Sequence, residues 1–142
     1  MGDLRVDFYI TQAGNARLSL ACKLAEKAYL AAHQVLIWHT DAAELQTLDE
    51  MLWTFRDGAF VPHEVLAGQA EGPQTPVLLS CGPLPPGELD VLINLAADVP
   101  DFLPRAKRVV EIIDGDEGRR QAGRARYRAY LERGVQPASH NL

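Results

Sequence analysis

Three observations predict a single three-layer α/β/α domain built on a mostly parallel sheet. The first 56 residues alternate strand, helix, strand, helix, the pattern of parallel strands joined by right-handed crossovers. The run Gln34–Trp38 (QVLIW) is almost continuously apolar, as in a strand covered on both faces. A further strand–helix unit, RVVEII and then Asp116–Arg133, lies near the end of the chain. The 142 residues suit one ordinary domain with a sizeable core.

Arg5–Ile10 (RVDFYI) alternates Val6, Phe8 and Ile10 with polar or amphipathic neighbours and is the first predicted strand. Thr11–Asn15 is a turn. From Ala16 the spacing becomes helical, with Leu18, Cys22, Ala25 and Tyr29 on one stripe, to a helix end near His33. After strand Gln34–Trp38, Asp41-x-x-Glu44 reads as a capping box. Leu45, Leu48, Leu52 and Phe55 then form the apolar stripe of a second helix. Phe60–Val65 is a short edge strand, because Pro62 cannot donate to a ladder. Ala67–Pro76 is a Gly/Pro-containing loop, Val77–Ser80 a buried strand and Cys81–Gly87 another loop. Leu89–Leu95 is a strand, Pro100–Ala106 one helical turn, and Arg108–Ile113 the fifth main strand. The last helix spans Asp116–Arg133, with Gly134 as its C-terminal cap. Residues 135–142 have no periodicity and are expected to form a flexible tail, leaving 1–134 as the domain.

The motifs that would mark an enzyme are missing. After the first strand stands TQAGN, with one glycine and neither GxGxxG nor GxxxxGK[ST] to cradle a phosphate. None of the three serines sits in a GxSxG elbow. The four histidines form no HxH, HxxxH or HExxH, so no metal ligands are assigned. No catalytic residue and no cofactor is expected. Cys22 lies in a helical apolar pattern and reads as core, and Cys81 opens a loop. No apolar run approaches the roughly 18 residues of a membrane span. The start, MGDLRVDFYI, lacks an export signal, so a cytoplasmic protein is expected.

Charge is divided unevenly. Residues 1–104 carry five Lys/Arg and fourteen Asp/Glu, a net −9, whereas residues 105–142 carry nine and five, a net +4. An acidic body repels a phosphate backbone, so direct DNA binding fits poorly, while a basic end piece suits a local anionic partner. Six arginines lie at 119–133. At about 100° per residue, Arg120, Arg124, Tyr127 and Leu131 share one face, with Arg128 at its margin. Ala122, Ala125 and Ala129 form a small-residue face expected to pack on the sheet. Arg119, Arg126 and Arg133 fill the remaining side. Forked cations beside an aromatic ring suit an anionic peptide with apolar side chains. They equally suit a solvated helix that offsets an acidic body.

Three pieces, in order and at matching spacing, resemble the chi subunit family of bacterial DNA polymerase III holoenzyme. They are Val6–Ile10 with the following helix and Gln34–Trp38; LDEMLW and FVPH within Leu48–His63; and VVEII at 109–113 with ARYRAY at 125–130. The resemblance implies a Rossmann-like fold that binds no nucleotide and a non-catalytic, replisome-associated adaptor. Such an adaptor joins the clamp-loader complex to the acidic, Phe-terminated tail of single-stranded DNA-binding protein (SSB), and meets DNA only indirectly. It also implies a tail-binding pocket at Ile113, Arg120, Arg124 and Tyr127. A psi-subunit contact is implied at Phe60, Val61 and Pro62, although Phe60 could instead cap the core behind Trp53 and Phe55. The competing class is a small α/β enzyme acting on a nucleotide or acidic metabolite at the C-terminal strand edge, through His39 and the arginines.

Overall fold

A computed structural model of the chain describes residues 4–58, 60–66 and 75–142. Its elements run β1 (Arg5–Ile10), α1 (Arg17–Leu30), β2 (Val35–Trp38), α2 (Ala42–Thr54), β3 (His63–Val65) and β4 (Val77–Ser80). Then come β5 (Leu89–Asn94), a 3-10 turn at Leu103–Arg105, β6 (Ala106–Ile113), α3 (Glu117–Glu132) and β7 (Ala138–Asn141). The strands form one seven-stranded sheet in the order β3-β4-β2-β5-β6-β1-β7, and every pairing is parallel. The predicted loop at 67–76 lies outside the described residues, except for its last two positions.

The sheet has a core on each face, which explains why its central strands are apolar without alternation. In β2, Val35 and Ile37 pack towards α1 and α2, while Leu36 and Trp38 join the cluster on the α3 side. Two helices on one face and one on the other give the three predicted layers. α2 buries Leu45, Leu48 and Leu52, as its periodicity predicts. α1 buries the small residues Ala21, Cys22, Ala25 and Ala28, which brings it close to the sheet. Burial pushes the Cys22 thiol up to about 12, so it remains a protonated core group. No helix among the described residues is long and apolar enough to cross a membrane.

The helix ends follow the sequence signals in part. Asp41 accepts from the N–H groups of Ala43 and Glu44 at 2.9 and 3.2 Å. Glu44, however, does not return to Asp41 as a capping box requires. Its carboxylate reaches His39 at 2.7 Å and pairs with Arg17. Asp116 caps α3 by accepting from the Arg119 N–H at 2.9 Å. Gly134 ends the helix at φ +81°, a left-handed conformation that favours glycine.

Two further expectations are corrected. The sheet-facing stripe of α3 is Gly123, Arg126 and Tyr130, whereas Ala125 is exposed and Ala122 and Ala129 are half-buried. The buried Glu111 carboxylate accepts from both Arg126 and Tyr130, and those bonds turn this side of the helix to the sheet. Residues 138–141 are β7 rather than a free tail, in parallel register with Asp7–Ile10. Periodicity could not reveal this strand, because polar contacts hold it. His140 bonds the buried Asp7 at 2.8 Å and stacks on Tyr9 at 4.7 Å. Asp7 also receives Arg108 and Arg5, each at 2.9 Å. Burial works against its ionisation, but the hydrogen bonds from His140 and Arg108 and the nearby charges hold its carboxyl below the ordinary range.

Candidate functional site

The site begins with how α3 is fixed on β6. Glu111 lies in the apolar run VVEII and is fully buried. It accepts from Arg126 Nε at 2.8 Å, from the Tyr130 hydroxyl at 2.7 Å and from Asn94 Nδ2 at 2.9 Å. Burial pushes its carboxyl pKa up, opposed by Arg126, Asn94 and Tyr130. A buried charge held by three donors fixes the helix at one rotation and one height, because each alternative leaves polar groups unpaired.

That placement opens a groove of about 180 Å³ between the ends of β1 and β6 and the first half of α3. Phe8, Ile10 and Ile113 form its apolar floor, Tyr127 forms one wall, and Arg120 and Arg124 stand at its rim. The four residues predicted as one pocket therefore do surround one groove. Tyr127 packs on Phe8 with ring centroids 5.2 Å apart, and its hydroxyl accepts from Gln136 at 3.1 Å. Leu131, placed on the same face by the helical wheel, points outward and is exposed. Gly123 permits the close approach, since a Cβ there would lie 2.1 Å from Ile113 Cδ1. A glycine inside a helix costs about 1 kcal/mol relative to alanine, and that anomaly is the signal by which the sequence could have revealed it.

The arginines sort by partner. Arg119 grips Asp114 at 2.8 Å, and Arg126 is taken by Glu111. Arg133 donates to a carbonyl within its own helix. Among the described residues, neither Arg120 nor Arg128 has a carboxylate partner, and Arg124 stands 3.9 Å from Glu117. The acidic loop Asp114–Glu117 mostly closes on itself. Asp114 is buried and accepts from the backbone N–H groups of Arg17 and Asp116, and Asp116 caps α3. Burial opposes ionisation of Asp114, yet Arg119 and these N–H groups hold its carboxyl below the ordinary range. Only Glu117 is left to compete for the groove's cations.

A larger cleft of about 320 Å³ lies beyond the carboxyl ends of β2 and β5, where α/β proteins often bind ligands. Arg17, Arg119 and Arg126 line it, but each already meets a carboxylate, from Glu44, Asp114 and Glu111 respectively. A further anion would therefore have to displace existing pairs. His39, Asp41 and Glu44 bring ligand atoms within 4.8 Å of one another. Asp41 is occupied in capping α2, and Glu44 in binding Arg17 and His39. These bonds fall on Oδ1 of Asp41 and Oε1 of Glu44, so an ion drawing on those oxygens would compete with the helix cap and the Arg17 pair.

At the FVPH corner the structure separates the predicted residues. Phe60 is 66% exposed and lies 6.2 Å, ring to ring, from Trp53, itself 49% exposed. Phe60 is thus on the surface and does not cap the core. Val61 is fully buried and cannot touch a partner directly, which corrects its place in the psi-contact set. Pro62 is half-buried. Buried His63 fixes the corner, with one ring nitrogen 2.7 Å from the Val61 carbonyl and the other 2.9 Å from the Asp49 carbonyl. Trp53, absent from the predicted set, supplies half of this aromatic patch.

Parallel strands covered on both faces and lacking a glycine-rich phosphate loop define a Rossmann-like α/β domain. Arg120 and Arg124, neither held by a buried carboxylate, sit at a surface groove rather than in the strand-end cleft. The chain belongs to the family described as DNA polymerase III chi subunit, HolC, whose model matches residues 4–138. DNA polymerase III subunit chi of Pseudomonas aeruginosa is 41% identical over 140 residues, covering 97% of this chain and 96% of that protein. The subunit chi proteins of Haemophilus influenzae and Escherichia coli are 30% and 31% identical, covering 87% and 78% of this chain and 85% and 76% of their own lengths.

Proposed function

We propose that the chain is a non-catalytic adaptor of the replisome, cytoplasmic, that meets DNA only through its partners. Its α3 groove takes the acidic, Phe-terminated tail of SSB. Ile113 and Tyr127 wall the pocket for the terminal phenylalanine, and Arg120 and Arg124 hold the terminal carboxylate and acidic side chains. The observation that carries this reading is the pairing of an apolar floor with rim cations that lack firm internal partners. Charge-assisted contacts contribute roughly 1.5–3 kcal/mol each, so an affinity of about micromolar, near −8 kcal/mol, is expected. The second arm is the exposed Trp53–Phe60 patch with Pro62, an apolar surface of the kind that marks protein interfaces. It docks the psi subunit and, through it, the clamp-loader complex.

Arg124→Ala tests the first arm. Arg124 is exposed and has no buried partner, so the thermal unfolding curve should not move. Fluorescence anisotropy with a labelled tail peptide should show binding weakened about tenfold or more. Unchanged affinity would remove the groove assignment.

A further inference from the structure

The unforeseen strand β7 pairs with β1, whose Phe8 and Ile10 floor the groove. In its parallel pairing with β1, Phe8 stands opposite Ser139 and Ile10 opposite Asn141. Residues in register on adjacent strands share a sheet face, so Ser139 and Asn141 share the face of the groove floor. His140, between them, turns to the other face, where it stacks on Tyr9 and bonds Asp7. Beyond the end of β7, the Leu142 N–H donates to the Ile10 carbonyl at 2.8 Å. Successive residues of a strand direct their backbone groups to opposite edges. Those of Ser139 and Asn141 therefore point away from β1, towards the free edge of the sheet.

We infer that β7 is the second bank of the groove: the backbone just upstream of an acidic peptide's terminal apolar residue pairs with the free edge at Ser139 and Asn141. The inference rests on the groove reading above. A groove of about 180 Å³ takes one apolar side chain, so the rest of the peptide must cross a neighbouring surface. The β7 bank adjoins the floor, and both residues on it are exposed. β7 has no acidic side chain, and Asp7 beneath it is buried and paired with Arg5, Arg108 and His140. An acidic peptide therefore meets no unpaired acidic side chain of β7 or of Asp7 on this path.

The test replaces the outward N–H groups. Proline is tolerated on an edge strand where its nitrogen faces off the sheet, so Ser139→Pro/Asn141→Pro keeps the ladder to β1 while removing two donors. In the full chain, anisotropy with the SSB tail peptide should show affinity reduced roughly tenfold. In the unmodified chain, saturation with the peptide should slow hydrogen exchange at the Ser139 and Asn141 amides. Wild-type affinity in the proline variant, with Arg124→Ala still weakened, would overturn the inference and send the peptide along α3 instead. Unchanged exchange at both amides would overturn it as well. A wild-type chain that fails to bind the peptide would overturn the groove reading and this inference with it.

Discussion

Glu111→Ala is expected to lower folding stability by about 3–5 kcal/mol, the typical cost of removing one member of a buried ion pair. The carboxylate is fully buried in the C-terminal half of β6. Its loss leaves the Arg126 guanidinium buried beside an empty acceptor site, strips the Tyr130 hydroxyl of its acceptor, and leaves the Asn94 amide with the Asp98 carbonyl alone. Such a cost is a large fraction of a domain's stability. The urea midpoint should fall sharply. Replacing both charges, with Glu111→Leu and Arg126→Leu, should recover most of the loss, because a paired apolar substitution strands no charge. A single variant within about 1 kcal/mol of wild type would mean that the network does not set the position of α3.

Gly123→Ala should separate stability from binding. A methyl at this position would meet Ile113 Cδ1 at 2.1 Å and Cγ1 at 3.3 Å. The clash falls on the end of a flexible side chain, so Ile113 can swing aside, and alanine also returns about 1 kcal/mol of helix propensity. Global stability should therefore change little. The space into which Ile113 swings is the groove it lines. Overpacking costs of up to about 3 kcal/mol would then fall on the bound state, weakening tail peptide affinity by roughly a hundredfold. Titration and urea unfolding of the same variant check both halves. Intact binding would show that the groove is not where the tail enters.

The sequence made most of this fold readable because its strands are apolar on both faces and its second helix has a clean leucine stripe. Asp41 and Asp116 announced two helix starts, and Gly134 one helix end. Arg120, Arg124 and Tyr127 were within reach because they are neighbours on one helical wheel, whereas Ile113 joined them only through the family resemblance. Where side-chain size and charge compete, periodicity gave less guidance. α3 has few apolar residues, so the pairing of Arg126 with Glu111 and the bulk of Tyr130 decide which side faces the sheet. A charged residue inside VVEII was the available clue. β7 escaped notice because a ladder and a buried aspartate hold it, and neither leaves a hydrophobic pattern. Val61 was grouped with Phe60 as a contact, but alternation along the short segment turns it into the core.

The central claim, that this groove captures an acidic tail by its terminal aromatic residue, meets its most direct test in one paired titration. The purified chain is titrated with a labelled SSB tail peptide and, in parallel, with the same peptide lacking its terminal phenylalanine. The groove account predicts saturable binding near micromolar affinity for the first peptide and loss of binding for the second. Equal binding of both peptides, or binding of neither, would contradict it.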